Sequence, residues 1–96
     1  MESYIPTIKE YCDIAQVLIN ELYKNDPKNE TFEQAGIING REIVNDYFSH
    51  GEPEIALEHL LYMIHESEIT FPSKALKKLH LMAKEYGIKN SYLRNE

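Results

Sequence analysis

The chain has 96 residues, 43 % of them hydrophobic, with ten basic residues against 16 acidic ones and a net charge of −6; this is room for one core and not for a second domain. The single cysteine, Cys12, excludes an internal disulfide and a cysteine-based zinc cage, and the acidic balance opposes nucleic acid or anionic lipid as a partner of the bulk field. No segment approaches the roughly 18 uninterrupted apolar residues of a membrane span, and the first residues lack the basic-then-apolar pattern of a leader, so a cytoplasmic location is expected.

The spacing predicts a first helix near 8–24. Thr7-Ile8-Lys9-Glu10 fits a capping box. Ile8, Tyr11, Cys12, Ala15, Leu18, Ile19 and Leu22 recur on one side, while Lys9, Glu10, Asp13, Gln16, Asn20, Glu21 and Lys24 fill the other. Asn25-Asp26-Pro27 stops the helix. Cys12 falls inside the apolar stripe, where a thiol acts as a small hydrophobe rather than a nucleophile.

A polar connection follows, and Thr31-Phe32-Glu33-Gln34 offers a second capping box. The helix it opens, near 32–49, either runs unbroken from Phe32 to Ser49 with Gly36 and Gly40 on its inner face, or is broken at 39–40 where Asn39-Gly40 turns the chain. Ile43, Val44, Tyr47 and Phe48 form a buried stripe, and His50-Gly51 is the stop.

Glu52-Pro53-Glu54 opens a helix near 53–67, since proline suits the first turn and acids there complement the helix dipole. Ala56, Leu57, Leu60, Leu61 and Ile64 make its core stripe. Its back carries Ile55, Glu58, His59, Tyr62 and Glu66, a mixture that fits either a central helix buried on most sides or a partner-binding face. A last helix near 74–86, capped by Ser73 and ended by Gly87, buries Ala75, Leu76, Leu79, Met82, Ala83 and Tyr86 and turns Lys74, Lys77, Lys78 and Lys84 outward. The tail 90–96 is expected to be weakly ordered. With no repeat and no strand-period segment, the expected fold is all-α, a small single-domain bundle of about four principal helices.

Charge is segregated along the chain. Residues 1–40 hold three lysines against seven acids, 41–73 hold Arg41 against seven acids, and 74–96 reverse the sign with five lysines and Arg94 against two acids. Such segregation serves either neutralisation between neighbouring helices or an acidic face offered to a basic partner. The four histidines fit no metal or catalytic spacing. The residues three before His50, His59, His65 and His80 are Tyr47, Ala56, Tyr62 and Lys77, not the glutamates of a di-iron bundle, and His65-Glu66-Ser67-Glu68-Ile69 fails the zincin pattern at its last position. Phosphate loop, nucleophile elbow and EF-hand patterns are missing as well. No enzymatic activity, cofactor or metal is expected.

Phe48-Ser49-His50-Gly51-Glu52, followed by Ala56-Leu57-Glu58-His59-Leu60, resembles the segment "aromatic, x, His-Gly-Glu, then Ala-Leu-Glu-x-Leu" of small bacterial immunity proteins, the MafI-type and contact-dependent growth inhibition immunity families. The likeness continues weakly through Ile64, the 66–69 connection and Leu76, Leu79 and Met82. It implies an inhibitor of a cognate toxin C-terminal domain, a basic nuclease such as an EndoU-type ribonuclease. An acidic helical protein suits a basic, RNA-attracting cleft by electrostatic steering.

The expected partner-binding patch is Glu54, Glu58, His59, Tyr62 and Glu66. Tyr62 supplies a large anchor with a polar tip, Glu58 and Glu66 stand four residues to either side of it, and His59 is a bridging donor or acceptor. The competing patch is Glu21, Asp26, Glu30 and Glu33. Rival functions are a nucleic-acid-binding regulator using the basic helix from Lys74 to Lys84, which the net charge opposes, and an adaptor in a bacterial assembly.

Overall fold

The computed structural model describes residues 4–88. It contains α1 (Tyr4–Asn25), a single 3-10 turn (Glu30–Glu33), α2 (Gly40–Ser49), α3 (Pro53–Glu66) and α4 (Ser73–Glu85). No strand occurs among the described residues, and the protein is an all-α bundle. No helix among them is long and apolar enough to cross a membrane. The tail 90–96 lies outside the described residues.

The helix boundaries differ from the sequence expectation in informative ways. α1 begins at Tyr4, so Thr7 lies inside the helix and not at its boundary. Pro6 is accommodated because the N–H groups of a first turn have no intrahelical acceptor to lose. Thr31 opens no long helix. Asn29 caps the 3-10 turn instead, its Oδ1 accepting the Thr31 N–H at 2.9 Å, and the Thr31 hydroxyl donates to the Glu66 carbonyl at the far end of α3. The chain then runs as a loop to Asn39, so of the two expected arrangements the broken one is found. α3 ends at Glu66, with Ser67 as its C-cap, and α4 starts with Ser73 as its first helical residue and Pro72 at the cap.

The joints are standard helix stops. After α2 the Gly51 N–H donates to the Phe48 carbonyl at 3.0 Å and the Glu52 N–H to that of Tyr47 at 2.9 Å; after α4, Gly87 and Ile88 repeat the pattern onto Lys84 and Ala83. Both end their helix while satisfying orphan carbonyls.

α3 packs against each of the other three helices. Ala56, Leu57, Leu60, Leu61, Met63 and Ile64 are all buried, so the helix uses more of its circumference than the expected stripe. α1 supplies Ile8, Cys12, Ala15 and Ile19, α2 supplies Val44, and α4 supplies Leu79, Met82 and Ala83. Gly40, the first residue of α2, lets that helix approach α3: a Cβ there would lie 2.5 Å from the Met63 sulfur. Edge-on pairs of Tyr4 with Tyr86 and Tyr11 with Phe71 close the seam between α1 and the α4 side. Fully burying Ile37 brings the 34–39 loop into this core, at about 1.5–3 kcal/mol for a side chain of its size.

Candidate functional site

Three side chains from two helices pin the loop 34–39. Gln16 of α1, expected on the solvent side, is buried, with 4 % exposure. Its Nε2 donates to the Ile38 carbonyl at 2.9 Å and to Asn20 Oδ1 at 3.0 Å, and its Oε1 accepts the Arg41 N–H at 2.8 Å. One carboxamide therefore fixes the loop and caps the first turn of α2 from another helix. Arg41 also reaches Asp13 at 3.5 Å, but both side chains are well exposed and such a pair contributes little.

From α3, the Tyr62 hydroxyl donates to the Ala35 carbonyl at 2.6 Å, and His59 Nε2 lies 3.0 Å from the Gly36 carbonyl. A carbonyl can only accept, so that ring nitrogen carries a hydrogen. Burial pushes the His59 pKa below its ordinary value and the carbonyl contact opposes this in part, so the ring is the neutral Nε2–H tautomer at pH 7. Gly36 has φ +81°, and a Cβ on it would stand 2.7 Å from His59 Cε1 and 3.2 Å from Ile43 Cδ1; both the backbone conformation and the space require glycine. Gln34 Nε2 completes the attachment at 3.2 Å from the Glu66 carbonyl.

Of the sequence-predicted patch, His59, Tyr62 and Glu66 are gathered against the 31–36 segment, the last through its backbone carbonyl. Glu58 is half-buried one turn before Tyr62. His59 and Tyr62 are engaged inside the molecule, with part of each ring still exposed. Glu54 is exposed but is not gathered with them. It lies toward the end of α4, where burial first and then the Glu54 charge raise the Tyr86 pKa. The alternative acids Glu21, Asp26, Glu30 and Glu33 are all exposed, and Asp26 accepts from Asn29 Nδ2 at 3.1 Å.

The sequence reading missed the α2 part of this face. Glu42, Ile43, Asp46 and Tyr47 line a shallow depression, and Glu42 also borders a second one lined by Gln16, Asn20, Ile38, Asn39 and Arg41. Ile38 is 44 % exposed. The i, i+4 spacing of Glu42 and Asp46 was a readable signal for two acids in one row, whereas nothing local marks Ile38 as outward and Ile37 as buried. Beside Asp46, His50 Nδ1 lies 2.8 Å from the Asp46 carbonyl, and that bond, then the Asp46 charge, raises the His50 pKa.

Chemically, these residues offer carboxylates, aliphatic side chains, tyrosine and the Arg41 guanidinium beside a loop held by hydrogen bonds. Cys12 is buried with its thiol pKa pushed up to about 12, by desolvation first. Among the described residues no group of three or more potential ligands gathers as a metal site. Comparison with protein-family models, curated proteins and solved structures gives no match to this chain.

Proposed function

We propose that this chain is a bacterial immunity protein that binds a cognate toxin domain, a basic nuclease of the EndoU ribonuclease kind, and neutralises it by covering its cleft, acting in the cytoplasm and without turnover of its own. The observation that supports this reading is the pinned acidic face. Glu42, Ile43, Asp46 and Tyr47 line one depression and Glu42 and Ile38 border a second, beside a loop held by Gln16, His59 and Tyr62, with Glu58 one turn before Tyr62 on α3. A surface already ordered loses little entropy on binding, and its charge steers a basic partner to it. The His-Gly-Glu joint between α2 and α3, which carries the family likeness, sets the relative position of the two helices that bear these acids.

The experiment pairs this protein with the C-terminal domain of the toxin encoded beside it, measuring the complex by calorimetry and RNA cleavage by gel. The expected result is one-to-one binding with loss of cleavage at equimolar protein. Absence of a complex at micromolar concentrations, or a gel shift of RNA by this protein alone at moderate salt, overturns the reading.

A further inference from the structure

Two exposed rows flank the seam between α1 and α4, and they repeat one spacing. On α1 the row is Glu10, Ile14, Val17 and Glu21; on α4 it is Lys74, Lys78, Leu81 and Glu85. Both follow i, i+4, i+7, i+11, which keeps four side chains within about 60° of a helix circumference. All eight residues are exposed, Val17 by 53 % and Leu81 by 54 %. Each row sets aliphatic surface among charges, acidic on α1 and basic at the start of α4, where Lys77 is a further exposed lysine. Neither row includes a residue that lines the two depressions beside α2.

Contacts along the seam fix where the rows lie. The Tyr4 hydroxyl donates to the Glu85 carboxylate and the Tyr4 and Tyr86 rings meet edge-on, so the α4 row borders the first turn of α1. Tyr11 meets Phe71 just ahead of α4, so the two helices run in opposite senses. Ile14 stands about 60° around α1 from Tyr11, toward solvent. Strips of opposite charge therefore lie side by side. Yet among the described residues no ion pair joins Glu10 or Glu21 to Lys74 or Lys78. The charge segregated along the sequence is not consumed by pairing of these residues within the molecule.

A partner of one charge sign is attracted by one strip and repelled by the other, whereas a second copy satisfies both. Rotation about a two-fold axis along the seam lays α1 of each copy on α4 of the other, with acids facing lysines and aliphatic side chains between them. We propose that the α1–α4 face is a self-complementary dimer surface on which a second copy of this chain docks. Helices of 22 and 13 residues, each about 10 Å wide, offer at most roughly 500 Å² per copy, against about 800 Å² in a standard interface. The dimer is accordingly weak, with a Kd on the order of micromolar or above.

The test is sedimentation equilibrium of the whole chain from about 1 μM to about 1 mM. At about 0.15 M salt a Debye length of about 8 Å screens the net charge of −6 and leaves the contact charges acting. The expected result is a reversible monomer–dimer equilibrium with no larger species. Two double variants at exposed sites, Glu10→Lys with Glu21→Lys and Lys74→Glu with Lys78→Glu, should each weaken self-association about tenfold or more. Their equimolar mixture should restore it, because each copy then meets the opposite charge on both strips. Val17→Asp, at another exposed site, should weaken the dimer to a similar degree. A chain that is monomeric at the highest concentration, growth beyond a dimer, variants that dimerise like wild type, or a mixture that stays monomeric overturns the proposal.

Discussion

Replacing Gln16 is the sharpest perturbation of the loop attachment. Its carboxamide is buried and serves the Ile38 carbonyl, the Arg41 N–H and Asn20 together. Gln16→Met keeps the length of the side chain and removes every one of these bonds, leaving a helix N–H and a loop carbonyl without their partner. Losing such a partner costs about 1–3 kcal/mol per buried group, and losing a helix cap about 0.5–2 kcal/mol. Ile38 and Arg41 are exposed residues whose backbone water can partly reach, which places the sum near the low end, about 2–3 kcal/mol. A domain of this size loses about 4–8 °C of Tm per kcal/mol, so a drop of roughly 10–20 °C is expected. Urea unfolding followed by far-ultraviolet circular dichroism measures it, with Gln16→Ala as a second variant. If both variants stay within about 0.5 kcal/mol of wild type, as surface changes do, Gln16 is the solvent-facing residue its polarity suggests and the loop is not held by it.

Gly36→Ala forces a side chain onto a left-handed backbone and against His59, and should cost about 1–3 kcal/mol in a thermal melt. His59 binds a proton less readily folded than unfolded, so the unfolded state takes up more protons below about pH 6.5 and stability falls as pH falls through that range. His59→Gln should flatten this part of the stability–pH curve, whereas the exposed His50, raised instead, works in the opposite direction. Cys12, buried with its thiol pKa near 12, should resist a thiol-specific chromogenic reagent at pH 8 and react at once in denaturant.

What the sequence made legible is what depends on periodicity. The stripes of α1, α3 and α4, the proline start of α3 and the glycine stops after α2 and α4 are read directly from spacing. Apart from the starts of α1 and α4, which lie at Tyr4 and at Ser73 and not at the expected caps, the misreadings lie where a distant segment decides. Gln16 stands at the edge of the α1 stripe, and its polarity marks it as outward; it is buried only because the loop and the start of α2 lie across it. Thr31 and Gln34 have the spacing of a helix start, but both turn to the Glu66 carbonyl, 35 and 32 residues away in the chain. The i, i+4 row through Glu58, Tyr62 and Glu66 was visible, but not that the Tyr62 hydroxyl is engaged by Ala35 or that Glu54 lies toward Tyr86. Local signals name the groups; the fold assigns their partners.

Under the proposed function, binding kinetics of charge-reversed variants against the C-terminal domain of a toxin encoded beside this chain test most directly which acidic face does the work. Glu42→Lys and Glu58→Lys should slow association several-fold, weaken its dependence on salt and leave Tm within a few degrees of wild type, while Glu30→Lys and Glu33→Lys leave association near wild type. If the Glu30 and Glu33 reversals abolish binding and those at Glu42 and Glu58 do not, the interface lies on the α1 and 3-10 side and the pinned face is only a structural joint.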